Sequence, residues 1–277
     1  MPSPHPFRPT MADVHVPSVE PKVWLVGAGP GDPELITVRA LTLLQQADVI
    51  VYDRLAAPEL LDHCRDDALK IHVGKQRNLH SVPQEDINAL LVTHARRGAC
   101  VVRLKGGDPF IFGRGGEEMM ALREHGIKVG IVPGVTAASG CAAATGIPLT
   151  HRDFAAGVSL MTAHRCEGAQ DYDWSSLTAD PQRTLVFYMG LAQAGHISAE
   201  LMLHGLPGET PVALVSQGST PQQKALRCTV DTLAVTAAHG GLTSPCLILV
   251  GRVVTLADPD CVPLAAVVAP EYLVCAA

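Results

Sequence analysis

Arg103-Leu-Lys-Gly-Gly-Asp-Pro-Phe-Ile-Phe-Gly-Arg-Gly-Gly-Glu-Glu118 is the stretch from which the fold can be read outward. Cys100 to Leu104 is a short run that ends at the glycine pair Gly106-Gly107, the pattern of a buried strand delivering its chain to a surface loop. Gly113, Gly115 and Gly116 follow within the same loop, interleaved with Phe110, Phe112 and Arg114. Glycines let backbone approach a ligand where a side chain would collide, and basic and aromatic neighbours give such a loop something to bind with. From Gly116 onward, Glu117, Met119, Met120, Leu122 and Arg123 read as a helix with acids at its positive end. The stretch predicts strand, binding loop, helix.

The same unit recurs on either side. Val23 to Val26 runs into Gly27-Ala-Gly-Pro-Gly-Asp32, with Asp32 placed to cap a helix that starts at Pro33 and carries Leu35, Ile36, Leu41 and Leu44. Asp48 to Tyr52 ends at Asp53-Arg54, and Lys70 to Val73 ends at Gly74-Lys75. A helix is predicted from about Pro83 to Arg97, and a strand from Lys128 to Val132 runs into Pro133-Gly134. Strands alternating with helices predict a mainly parallel α/β sheet covered on both faces, with ligands beyond the carboxyl ends of its strands. Pro30, Asp53, Arg54, Lys75 and Gly106 to Asp108 should therefore share one rim.

After Gly134 the texture changes to the small residues Val135 to Thr145. Strands follow at Val158–Thr162, Thr184–Tyr188, Val212–Ser216, Ala225–Thr229 and Cys246–Val250, with helices at about Ala194–His204 and Asp231–Ala238. The turn at Gly218 makes a hairpin, so this half should hold a mixed sheet. The expected division is a lead-in over 1–21, an α/β domain over 22–134, a second over 135–257 and an extension over 258–277.

Composition sets the bounds. At 277 residues, one large or two modest domains are expected, and 47% apolar with 17% charged residues suits a well-buried core. A formal charge of -6 gives no reason for a nucleic-acid or anionic-membrane surface. The eight cysteines have no CxxC spacing and lie mostly in apolar runs, which points to a reducing cytoplasm; the twelve histidines show no HExxH spacing, so no metal is expected. The first twenty residues are proline-rich without an apolar core, and are expected to be disordered rather than a signal or anchor. Gly27-x-Gly29 with Asp53 after the next strand imitates a dinucleotide fingerprint, but Pro30 sits inside the turn and Asp32 stands where a small residue is needed.

Gly106 to Glu118 resembles the signature of the tetrapyrrole methyltransferases, in the branch acting on uroporphyrinogen III. The resemblance extends over Val26–Asp32, Val51–Leu55, Val73–Lys75, Val82–Glu85, Val132–Gly140, Gly146–Arg152, Phe187–Gly190 and Val250–Val254. It implies two α/β domains with S-adenosyl-L-methionine in the cleft between them, leaving as S-adenosyl-L-homocysteine, and a homodimer. Carried over by position, Pro30, Gly106, Gly107, Asp108, Ile111, Thr136, Ala137, Met189 and Gly218 would hold that cofactor. Asp53 would be the proton acceptor and Lys75 the donor. Arg54, Arg103, Lys105, Arg114, His151 and Arg152, with Lys75 and Arg77 beside them, lie on predicted rim loops, where arginine forks suit the carboxylates of the macrocycle. The implied reaction is methylation at C2 and C7 to precorrin-2, for siroheme or cobalamin, in a stand-alone unit. The rival implied by the same motifs is a methyltransferase of a later precorrin.

Overall fold

The structure is a computed structural model that describes residues 21–74, 82–164, 171–262 and 264. Lys75 and Arg77 lie outside the described residues, as does almost all of the expected lead-in. The first half holds strands β1 (Val23–Gly27), β2 (Val49–Tyr52), β3 (Leu69–His72), β4 (Val101–Lys105) and β5 (Val129–Val132), with helices α1 (Val38–Gln46), α2 (Gln84–Arg96) and α3 (Gly115–Glu124). The strands form one parallel sheet in the order β3-β2-β4-β1-β5. The register aligns Gly27 with Lys105, Val26 with Val132, and Tyr52 with both Leu104 and His72, so all five strands finish along one edge.

The period of two along each strand sorts the core onto two faces. Val23, Leu25, Val49, Val51 and Val101 pack with Ile87, Leu91 and Leu122 from α2 and α3. Val26, Ile50, Val102 and Leu104 pack on the other face with Ala40, Leu43 and Leu44 of α1 and with Leu60. The helix expected at Pro33 begins later. Asp32 caps only a single 3-10 turn over Pro33–Leu35, and α1 starts at Val38, capped by Thr37, whose side chain accepts from the Ala40 N–H at 3.2 Å. The first glycine turn thus has no α-helix N-terminus directly behind it, and the anion cradle of a dinucleotide site is missing.

The second half follows as α4 (Ala137–Thr145), β6 (Gly157–Thr162), α5 (Trp174–Thr178), β7 (Arg183–Tyr188), α6 (Ala194–Leu203), β8 (Pro211–Ser216), β9 (Lys224–Thr229), α7 (Leu233–His239) and β10 (Cys246–Val250). The sheet runs β6-β7-β10-β8-β9, parallel only between β6 and β7, which is the mixed sheet expected from the hairpin. Leu185 and Phe187 face Ile197, Leu201 and Leu233 of α6 and α7. Val186 and Tyr188 face Ala138 and Cys141 of α4 together with Val253, Val254 and Val262. Val253, Val254, Ala257 and Val262, which follow β10, therefore pack under the second sheet, and residue 264 bridges β9 at Arg227.

The loops after β1, β4 and β5 meet through glycine backbone at the carboxyl edge of the first sheet. Gly29 and Gly107 exchange two hydrogen bonds, at 3.3 and 2.6 Å. A Cβ on Gly27 would lie 2.5 Å from the Gly134 nitrogen, and one on Gly134 would lie 2.2 Å from the Gly107 oxygen. No flexible side chain is there to yield. Gly134→Ala should lower stability by at least about 1–3 kcal/mol, the usual cost of overpacking. Gly116→Ala, inside α3 where an added Cβ meets nothing within 4 Å, should be neutral or raise stability by up to about 1 kcal/mol. Paired urea melts of the two variants test this, and equal midpoints would refute it.

Candidate active site

Between the carboxyl edge of the first sheet and the near end of the second lies a cleft of about 710 Å³. It gathers Pro30, Gly106, Gly107, Asp108, Ile111, Thr136, Ala137, Met189 and Gly218, every residue carried over to the cofactor. Asp53, Arg54, Arg103, Lys105 and Arg114 line it too. His151 and Arg152 do not. Their segment closes on itself through paired His151–Ala155 backbone hydrogen bonds at 2.9 Å, with the His151 ring edge-on to Phe154, so the expected placement of these two on the rim of the cleft is not met. A smaller cavity of about 260 Å³ sits at the opposite end of the second sheet, between Leu177, Leu206 and Val250, and shares no residue with the cleft.

The central loop is held open by Asp108. Its Oδ1 accepts from the Phe110 N–H at 2.8 Å, and its Oδ2 accepts from the Gly134 N–H at 3.0 Å. One carboxylate therefore ties the loop after β4 to the turn after β5, a structural use that its expected role as a bare ligand acceptor did not include. Gly107 adopts φ +68°, and a Cβ there would have no neighbour closer than 3.8 Å, so the glycine leaves open space beside the Ala137 nitrogen. Gly218 is required for packing, since a Cβ would meet the Cys141 sulfur at 2.3 Å.

Strain collects here. Five residues other than glycine adopt left-handed backbone among the described residues, and four of them, Phe112, Arg114, Met189 and Gln217, line the cleft. Such conformations cost about 1–3 kcal/mol each and persist where surrounding structure over-determines them, most often at binding sites.

Two contributors escaped the sequence reading. The Tyr188 hydroxyl lies 2.7 Å from Thr136 Oγ1 and accepts from the Ala138 N–H at 3.1 Å, so it caps α4 where the Thr136 side chain does not. Burial pushes the Tyr188 phenol above its ordinary pKa and keeps it protonated at neutral pH. The Phe112 ring packs on Tyr188 at 4.8 Å between centroids, joining the central loop to the second sheet.

The second contributor is Glu118. Arg103 and Lys105 stand two apart in β4 and so share a face, not a loop; each is only 4% exposed. This corrects their expected place on the rim. Glu118 of α3, fully buried, faces both: its Oε1 accepts from Arg103 Nε at 3.1 Å, Lys105 Nζ at 2.9 Å and Gln84 Nε2 at 3.2 Å. Arg103 also reaches Asp53 Oδ2 at 3.4 Å, while Asp53 Oδ1 accepts from the Leu55 N–H at 3.0 Å. Burial, and after it the Arg103 charge, push the Lys105 pKa below that of an ordinary lysine, against the opposing pull of Glu118. Arg114, at the mouth, forks onto Glu117 at 2.7 and 3.0 Å.

Residues 22–234 match the family described as Tetrapyrrole (Corrin/Porphyrin) Methylases. The chain belongs to that family. It is 56% identical over 237 residues to the siroheme synthase of Stutzerimonas stutzeri, covering 86% of this chain and 51% of that protein. The chain thus spans about half the length of the curated relatives it matches. Among solved structures, uroporphyrin-III C-methyltransferase from Thermus thermophilus complexed with S-adenosyl homocysteine is 40% identical, with a TM-score of 0.72 over 84% of this chain and 99% of that one. A cobalt precorrin-4 methyltransferase is 30% identical, with a TM-score of 0.75 over 84% of this chain and 95% of that one. Membership of the family makes this chain a methyltransferase. No helix among the described residues is long and apolar enough to cross a membrane.

Tyr188→Phe keeps the ring packing and leaves the Ala138 N–H without its acceptor. It should cost about 1–3 kcal/mol, the penalty for an unsatisfied buried donor, and a matching drop in unfolding midpoint would be the measurement.

Proposed function

We propose that this chain transfers methyl groups from S-adenosyl-L-methionine to C2 and C7 of uroporphyrinogen III, releasing S-adenosyl-L-homocysteine and precorrin-2 for siroheme or cobalamin. The observation that carries the reading is that all nine cofactor positions and five charged acceptor-side positions line one cleft. The relative crystallised with the demethylated cofactor product, at 40% identity over nearly its whole length, supports the choice of methyl donor. The open face of Gly107 and the small residues Thr136 and Ala137 fit the close approach of a nucleoside and its amino-acid arm. Once bound, the cofactor supplies a methyl group already activated on a sulfonium.

The protein's share is alignment and proton handling. Gly106, Gly107 and Pro30 bring backbone to the cofactor, Ile111 and Met189 give it apolar walls, and Gly218 lets Cys141 pack close behind that wall. Asp108 keeps the two loops in register around it. Arg54, Arg103, Lys105 and Arg114 set positive charge where an acidic protein must receive a polycarboxylate. Asp53, half-buried and beside Arg103, is assigned as proton acceptor, and Lys75 as donor. We further propose a domain division near Gly134, a homodimer, and the cytoplasm as the site of action.

Anaerobic incubation with uroporphyrinogen III and S-adenosyl-L-methionine, followed by mass spectrometry, should show a gain of two methyl groups. No gain with the cofactor still bound would move the enzyme to a later precorrin, the activity class of the 30% identical relative. Asp108→Asn, which sets an amide N–H against one of two loop N–H donors, should weaken S-adenosyl-L-homocysteine binding by about tenfold or more in calorimetric titration, equivalent to about 1.4 kcal/mol. Unchanged affinity would remove Asp108 from the site.

A further inference from the structure

We propose that Glu118 is a positioning residue for the methyl acceptor: from behind the cleft wall, through one carboxylate oxygen, it presets Lys105 and Arg103 as a cation pair for a substrate carboxylate. The inference rests on the acceptor reading above and names a residue outside the cleft lining.

The geometry makes the argument. Glu118 does not line the cleft, whereas all three groups it holds, Arg103, Lys105 and Gln84, do. A carboxylate serving only to neutralise Arg103 would take its guanidinium in a two-oxygen fork. Here three donors converge on Oε1, and Oε2, buried, has no hydrogen-bond partner. The convergence draws three side chains from β4 and α2 toward one point. Lys105 spends one of its three N–H donors on Glu118 and is 4% exposed, so an ammonium with donor capacity to spare sits at the cleft wall in a poorly solvated place. Buried charge of this kind is costly unless paired, and a ligand carboxylate would complete the set.

The charged groups around Lys105 are Arg103 on its own strand, Glu117 and Glu118 on α3, and Asp53 after β2. Of these, Arg103 acts with burial to favour the neutral amine, and Glu118 and Asp53 oppose it. Removing the Glu118 charge should therefore make Lys105 lose its proton at lower pH. The cation is present below its pKa and lost above it, so an activity that needs it fails on the alkaline side, and earlier in the variant.

Glu118→Gln keeps the shape and an acceptor oxygen. It should raise the KM for uroporphyrinogen III by about tenfold or more while S-adenosyl-L-homocysteine affinity stays within about twofold. The alkaline limb of kcat/KM should move down by about one pH unit, and the Lys105 Cε resonance in ¹³C-labelled protein should titrate down with it. Because Glu118→Gln leaves two buried cations short of a counter-charge, the cycle is completed with Lys105→Gln and the charge-balanced double variant. The double variant should lose less than the sum of the two single losses, the remainder over Lys105→Gln reflecting the hold of Glu118 on Arg103. An unmoved Lys105 titration, or strictly additive losses, overturns the proposal while wild-type methylation stands. Absence of methylation in the wild type is a separate failure, of the acceptor reading itself, and takes this inference with it.

Discussion

Three stretches of backbone, at Gly27, Gly107 and Gly134, approach so closely that neither Gly27 nor Gly134 has room for a Cβ, and the cleft depends on that contact. It lets the loop after β4 cross the carboxyl ends of β1 and β5 without a layer of side chains between them. The Gly29–Gly107 pairing then extends the sheet by one bridge beyond its strands. With the backbone so fixed, Asp108 can satisfy N–H groups from two loops at once, and the open side of Gly107 is left facing the cleft. Overlap at backbone atoms has no rotamer that relieves it, so the constraint is rigid in a way that side-chain packing is not.

Around this frame the cleft divides by chemistry. One side is uncharged and made of small or pliable residues, Ala137, Met189 and Gly218 among them. The other is ionic, and two of its charges, Arg103 and Lys105, lie on the sheet itself rather than on loops. Arg103 and Lys105 in a central parallel strand would be prohibitive alone; Glu118 and Asp53 make them tolerable. A cation held by strand and helix loses less side-chain entropy on meeting a ligand than one on a mobile loop, because that ordering was met during folding. Arg114 at the mouth is instead exposed, and it forks onto the exposed Glu117.

Much of this was legible beforehand, for physical reasons. Alternation along the strands and glycines at their ends gave the sheets, and the Gly218 turn gave the antiparallel half. Asp32-Pro33 reads as a helix start, but a 3-10 turn satisfies the same capping chemistry, and only Thr37 has a full α-helix behind it. Arg103 and Lys105 looked like loop cations because a strand ending in charge is hard to tell from a loop beginning with it; the same-face spacing was the signal to weigh. Glu118 read as an ordinary acid in the first turn of a helix, since nothing local reveals that its partners lie on a strand. Tyr188 of β7 capping α4, and the left-handed Met189, are non-local outcomes with no local signature.

The chain after β10 bears on solubility as well as packing. Strand β9 is the outermost strand of the second sheet, and an uncovered edge offers a row of N–H and C=O groups to any other chain. Residue 264 pairs with Arg227 on that edge, Arg227 donates to the Val262 carbonyl at 2.7 Å, and Val262 is buried beneath. Residues 262 and 264 thus occupy part of an edge that could otherwise template aggregation.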